Sequence, residues 1–139
     1  MIVEARALTS GSLEGRLLLL DTPLSLWGGV DLQSSEIVDR THPQQGTIIA
    51  GRILAMRAAR GSSSSSSALV EIARVRRAPA AIILGQYDPI LVMGALVAEE
   101  LYGVKIPIVL WEDSWEALSQ DQRLRIDADE SRAKIEILT

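Results

Sequence analysis

The stretch TIIAGRILAMRAARGSSSSSSALVEIARVRRAPAAIILGQYDPILVMGALVAEELYGVKIPIVLW, residues 47 to 111, decides the fold. It holds three short apolar runs, Thr47 to Met56, Ala80 to Leu84 and Ile106 to Trp111, which read as strands. Gly51 interrupts the first and predicts a bulge or a close backbone approach. Two helical patterns separate the runs. Leu69, Ile72, Ala73 and Arg76 are spaced for a helix over Ala68 to Arg77, with Ser66 or Ser67 as N-cap and Pro79 as its stop. Asp88-Pro89 opens the second helix, because Asp caps free N–H groups and proline tolerates the first helical position. Gly103 suits its C-terminal cap after Tyr102. Ile90 to Ala98 is apolar on nearly every side and predicts burial on more than one face. The order strand, helix, strand, helix, strand implies two right-handed crossovers and a parallel sheet, an α/β fold.

Outward from this core, Ile2 to Leu8 and Arg16 to Leu20 read as a hairpin joined by the turn Thr9 to Gly15. Leu24 to Asp31 and a polar segment through Gln45 follow, with Glu36 to Asp39 as a short strand in what is otherwise loop. Downstream, Ser114 to Ser119 suggests a short helix, and Gln122 to Ile126 with Lys134 to Leu138 a closing hairpin around Asp127 to Glu130. There is no internal repeat. A chain of 139 residues supports one core and one domain, residues 1 to 139.

Composition excludes several functions. The net charge of −4 and the scattered Lys and Arg give no basic stripe, so neither nucleic acid nor an anionic membrane is an expected partner. Without cysteine there is no disulfide framework and no thiolate metal site, and a single histidine excludes a His-rich one. No metal site is therefore expected in this chain. The start MIVEARALT is not a signal peptide, and Pro89 to Ala98 is too short to span a bilayer, so a cytoplasmic protein is expected.

Six consecutive serines, Ser62 to Ser67, follow Arg60-Gly61 between the first strand and its helix. By composition the tract reads equally as a flexible linker. Its place favours a binding loop, since Met1 to Gly61 is short for an independent domain, and a strand-to-helix corner presents N–H groups and hydroxyls backed by the helix dipole. There Arg60 is placed to pair with a substrate carboxylate, with the Ser62 hydroxyl facing the same cavity. Proton transfer by a serine further requires a water-poor site with donors that stabilise the alkoxide. Trp27-Gly28-Gly29 reads either as a structural turn or as backbone brought close to a ligand.

The remaining motifs read as structural. His42 in Thr41-His42-Pro43 reads as an exposed loop histidine. Trp111 and Trp115 read as core or interface aromatics, and Asp127, Asp129 and Glu130 as solvated hairpin acids. No Ser/His/Asp triad, phosphate loop or dinucleotide fingerprint occurs.

The ordered set Leu24 to Asp31, His42-Pro43, Ala50 to Leu54, Arg60-Gly61-Ser62, Ala78 to Ala81, Ala98 to Gly103 and Ile106-Pro107 resembles the small subunit of the aconitase X family. The resemblance covers about residues 2 to 110. It implies a swivelling β/β/α domain like the mobile C-terminal domain of aconitase, docked on a separately encoded large catalytic subunit. It also implies a dehydratase that is inactive without that subunit, whose iron or iron–sulfur centre acts as Lewis acid on the departing hydroxyl of a small-molecule substrate. Carried over by motif, Ser62 matches the proton-abstracting serine, and Arg60, Gly61, Ser63, Ser64, Gly28 and Gly29 line the substrate pocket. Bacterial members dehydrate cis-3-hydroxy-L-proline to Δ1-pyrroline-2-carboxylate, and archaeal members dehydrate mevalonate 5-phosphate to trans-anhydromevalonate 5-phosphate. Arg60-Gly61-Ser62 and Glu99 to Gly103 lean to the bacterial pattern, since archaeal loops tend to place Lys before Gly-Ser. A non-catalytic anion-binding swivel module is the alternative of a different class.

Two departures from the family pattern bear on the fold. Ser63, Ser65 and Ser67 stand where related loops often interleave glycine, so the tract either keeps negative φ or is more mobile than in relatives. Ser131-Arg132-Ala133 replaces the usual hairpin glycine.

Overall fold

The computed structural model describes residues 1 to 138. Seven strands form a closed barrel in the order β1-β5-β4-β3-β2-β6-β7. They are β1 (Ile2–Thr9), β2 (Gly11–Leu19), β3 (Ile53–Met56), β4 (Ala81–Leu84), β5 (Ile108–Leu110), β6 (Arg123–Ala128) and β7 (Arg132–Ile137). The helical elements are a kinked turn α1 (Leu26–Gly29), α2 (Ser64–Arg74), α3 (Pro89–Tyr102) and a single 3-10 turn over Trp115–Ala117. The pairs β2–β3, β3–β4 and β4–β5 are parallel, and the remaining pairs are antiparallel.

The apolar runs are buried on both faces, and alternation assigns each side chain to one of two cores. Ile53, Ala55, Ala81, Ile83 and Val109 point into the barrel, where Trp111, Trp115, Leu124, Ile126 and Ile135 meet them. Leu54, Met56, Ile82, Leu84 and Ile108 point outward under α2 and α3, against Leu69, Ile72, Leu91 and Ala95. This two-sided burial is the reason parallel strands read as continuous apolar runs rather than alternating ones. The segment between β2 and β3 adds Leu24, Leu26, Val30, Ile37 and Ile49 to the outer core.

Several expectations are corrected. β1 and β2 are strands but not a hairpin. Ser10 alone separates them, β1 pairs with β5 and β7, and β2 pairs with β3 and β6. The corner is fastened to β5 instead: Thr9 Oγ1 donates to the Ile106 carbonyl and accepts from the Ile108 N–H, both at 2.7 Å. Pro107 packs on Gly11, where a Cβ would meet its ring at 2.5 Å. The first central strand is only Ile53–Met56, because Gly51 at φ +71 makes a turn rather than a bulge. Glu36 to Asp39 contributes two isolated bridges, Val30 to Ile37 and Glu36 to Ile48.

The first helix begins inside the serine tract, at Ser64, and ends at Arg74. Arg76 at φ +61, with the Arg77 N–H on the Ile72 carbonyl at 2.7 Å, closes it well before Pro79. α3 matches its predicted ends: Asp88 Oδ1 accepts from Ile90 N and Leu91 N, and Gly103 is left-handed at φ +66. Its burial does not match, since Leu91, Ala95 and Ala98 face the core while Met93, Leu96 and Leu101 are exposed. No helix of the described residues is long and apolar enough to cross a membrane. In the β6–β7 turn, Asp129 Oδ1 accepts from Ser131 N and Arg132 N, and this side-chain turn replaces the missing glycine.

Candidate functional site

In parallel sheets the loops at the carboxyl ends of the strands are the usual place for a ligand. β3 ends at Met56, and the segment from Arg57 to Ser63 crosses that edge to start α2. The chain turns at Gly61, where φ is +118 and a Cβ would collide with Ser25 Oγ and lie 3.0 Å from Ser65 Oγ. Only glycine fits. Gly61 thereby brings the serine tract against the glycine turn of α1. There Ser25 Oγ donates to the Trp27 carbonyl at 2.8 Å, Gly28 has φ +86, and Gly29 is buried.

Arg60, Gly61, Ser62, Ser63 and Ser64 lie in one segment, and the contact of Gly61 with Ser25 sets it beside the turn that carries Gly28 and Gly29. Ser62 is exposed, and its Oγ accepts the Ser64 N–H at 3.2 Å. Its carbonyl takes the Ser65 N–H at 3.0 Å, while the Ser63 carbonyl takes both the N–H and the hydroxyl of Ser66. The N–H groups of Gly61, Ser62 and Ser63 donate to nothing among the described residues. Ser63, at the N-cap position, has φ −56, and no serine of the tract has positive φ, so an all-serine sequence costs the backbone nothing here.

Three further residues belong to this corner. Arg60 makes no hydrogen bond or ion pair among the described residues, yet its charge reaches Asp39. The Asp39 carboxyl lies below its usual range, held first by the Thr41 hydroxyl and N–H and then by the Arg60 field. Ser25 wedges the two turns together. Ser65, 5% exposed, has a buried Oγ with no partner. Ser65 belongs to the serine tract already singled out by sequence; Asp39 carries no motif, and only the fold brings it to Arg60.

The expectation for His42 is corrected. It is buried, with Nδ1 accepting the Gln44 N–H at 3.0 Å, so its proton sits on Nε2 and bonds the Thr22 carbonyl at 3.1 Å. It braces the loop. Trp111 and Trp115 stack in the barrel core with ring centroids 6.4 Å apart, and Arg57 lies over Trp115 at 5.2 Å. Arg60, unlike Arg57, has its guanidinium free of a ring. No group of three or more His, Cys, Asp and Glu side chains converges among the described residues, so this chain's donors do not fit an iron centre.

What the arrangement offers is an exposed hydroxyl at a helix start, unpaired N–H groups beside it and a free cation, the parts of an anion and proton-transfer site left open on one side. Residues 2 to 137 match the family model described as the aconitase X swivel domain. The chain belongs to that family. This swivel domain is 46% identical over 118 residues to the cis-3-hydroxy-L-proline dehydratase of Pseudomonas aeruginosa, covering 85% of the present chain and 20% of that one. It thus spans about a fifth of that relative's length. It is also 32% identical over 134 residues to the phosphomevalonate dehydratase small subunit of Methanothermobacter thermautotrophicus, covering 96% and 99% of the two chains. Among solved structures, Thermococcus kodakaraensis aconitase X superposes with a TM-score of 0.88 at 29% identity, over 100% of this chain and 99% of that one. The swivelling fold inferred from the motifs is therefore the observed one.

Proposed function

We propose that the 139 residues act as one swivel unit, the small subunit of a cytoplasmic aconitase X-type hydro-lyase that dehydrates cis-3-hydroxy-L-proline to Δ1-pyrroline-2-carboxylate. The observation that carries this reading is the open corner at Ser62, with its unpaired N–H groups and free Arg60. The iron or iron–sulfur centre that the family implies belongs to a separate large chain. This chain supplies the proton acceptor and part of the substrate pocket.

In this reading Arg60 pairs with the substrate carboxylate, and the N–H groups of Gly61, Ser62 and Ser63 face the same charge, aided by the α2 dipole. Ser62 Oγ, stabilised as an alkoxide by the Ser64 N–H, takes the α-proton. The electron pair left on Cα forms the double bond as the C3–O bond breaks, and the hydroxide departs as water by taking one proton from solvent, balanced by the proton that Ser62 releases to solvent as its alkoxide is regenerated. The cyclic enamine then shifts its N–H proton to carbon and becomes the imine. Gly28 and Gly29 keep side chains out of the path.

A second reading is dehydration of mevalonate 5-phosphate. It is supported by the archaeal relative, a phosphomevalonate dehydratase small subunit matched over 99% of its chain. The higher identity to the hydroxyproline enzyme supports the first. The test is reconstitution with the large chain from the same genome under iron-loading, anaerobic conditions, assaying both substrates. Turnover of hydroxyproline alone is expected, and it is lost when Ser62 becomes Ala. Turnover of the phosphate ester alone selects the second reading. Tight assembly with a rate indifferent to every serine change would make this a non-catalytic clamp.

A further inference from the structure

Three arginines close their ion pairs directly: Arg52 meets Asp121 at 2.7 Å, Arg74 meets Glu71 at 2.7 Å, and Arg125 meets Glu136 at 3.0 Å. Arg60 does not. It has no ion pair among the described residues, although its charge adds to the Thr41 hydroxyl and N–H in holding the Asp39 carboxyl low. The carboxylate of this unclosed couple is half-buried and fixed. Asp39 Oδ1 accepts the Thr41 hydroxyl at 2.7 Å and the Thr41 N–H at 2.9 Å, while the Asp39 carbonyl accepts the His42 N–H at 3.1 Å. The other carboxylate oxygen, Oδ2, accepts no hydrogen bond among the described residues. Steric contacts lead from Asp39 to the serine corner. A Cβ on Gly29 would lie 3.9 Å from both the Asp39 Cβ and the Ser25 Cβ, and one on Gly61 would lie 3.1 Å from that same Ser25 Cβ. Ser25 thus links the turn that carries Asp39 to the residue after Arg60.

We propose that Asp39 is a positioning residue for Arg60, its fixed carboxylate orienting the guanidinium for a substrate carboxylate without using the donors that bind it. The proposal rests on the function proposed above and adds how this chain sets its cation. An exposed arginine has several side-chain torsions to order when it binds a ligand, and that ordering weakens binding. A fixed opposite charge nearby removes part of the penalty beforehand. A direct pair would do so too, but it would occupy the two N–H groups that grip a carboxylate side by side. A counter-charge held beyond bonding distance orients the guanidinium and leaves both N–H groups free. Its drawback is a like charge near the bound substrate, so the sign of the change on removing Asp39 separates orientation from repulsion.

The test measures steady-state kinetics of the reconstituted enzyme on whichever of the two substrates it turns over. Asp39→Asn keeps an oxygen for both Thr41 donors and removes only the charge. It is expected to raise KM about five- to ten-fold and leave kcat within about two-fold, since the grip on a carboxylate is the same before and during reaction. In an Arg60→Ala background the same change is expected to move KM by less than about two-fold, because nothing is left to position. If Asp39→Asn fails to fold, judged by circular dichroism, Thr41→Val frees the carboxylate from one donor and is expected to raise KM about two- to three-fold. A KM that stays put or falls in the variant tested overturns the proposal and leaves the dehydratase reading standing. A rise that persists in full without Arg60 shows Asp39 touching substrate itself and overturns it too. A wild-type enzyme that turns over neither substrate overturns the proposed function, and the role of Asp39 with it.

Discussion

On the antiparallel side of the barrel, Arg125 lies between Glu14 on β2 and Glu136 on β7, and Asp129 accepts two N–H groups of its own turn. At the serine corner, among the described residues, Arg60 has no ion pair, three N–H groups donate to nothing, and the Ser65 hydroxyl is buried without a partner. Both regions use the same kinds of polar group. They differ in whether the chain completes its own bonds. Ser35, outside that corner, also has a buried hydroxyl without a partner among the described residues, so one open group does not mark a site; the cluster at the corner is what sets it apart.

The sharpest way to break this contrast is at Ser62. In the reconstituted enzyme Ser62→Ala is expected to lower kcat by about a thousand-fold or more, within the range for loss of a proton-transfer group. Its melting temperature should hardly move, since the exposed hydroxyl makes only one bond, at 3.2 Å. A variant with normal turnover would place the proton acceptor elsewhere. Next in size is Gly61→Ala, which meets both a positive φ and the Ser25 hydroxyl; a loss of about 2–4 kcal/mol in urea unfolding is expected. Adding Ser25→Gly should recover the part due to the collision and leave the part due to φ.

Smaller effects sharpen the other half of the comparison. Asp88→Ala removes the acceptor of two α3 N–H groups and should cost about 1 kcal/mol of stability, read from the same unfolding curves. Acid should act on both regions, since Asp31, Asp39 and Glu71 are held low as well as the hairpin carboxyls. The Glu14 carboxyl is held below its ordinary value by the hydrogen bond and charge of Arg125, then by Arg123, and Asp129 by the Arg132 and Ser131 N–H groups. A carboxyl with a depressed folded pKa stabilises above its unfolded value and loses that contribution as pH falls through the folded one. Stability should therefore hold from neutral pH down to the ordinary carboxylate range and decline as pH falls below it, with a flatter acid limb in Glu14→Gln. Smallest of all, Ser65→Ala should leave stability unchanged or raise it by up to about 1 kcal/mol, because it deletes an unpaired buried hydroxyl. A clear loss of stability would show that Ser65 is already bonded in the free chain.

The elements that were legible are those whose signals are local. Asp88, Pro89 and Gly103 carry the ends of α3 in their own backbone preferences, and the runs Ala81–Leu84 and Ile108–Leu110 are apolar because both of their faces are covered. The start of α2 was not legible, because six identical side chains offer no distinct cap. The hairpin of β1 and β2 failed because strand partners are chosen across the barrel, and Thr9 is fastened to residues about a hundred positions away. His42 failed for a related reason, since its acceptor on Thr22 lies in another loop. The exposure of Met93 and Leu96 failed because an all-apolar helix carries no mark of which side the sheet will take.

By itself, then, the order of residues determined the alternation of strand and helix, the caps of α3 and the Arg60-Gly61-Ser62 corner, since each depends on torsional preference and hydrogen bonding within a few positions. Tertiary structure alone decided that the sheet closes into a barrel, that Ser25 and Asp39 come to that corner, and which apolar side chains stay in water. Those outcomes depend on contacts between distant segments, where burial and steric fit choose among pairings that local chemistry leaves equal.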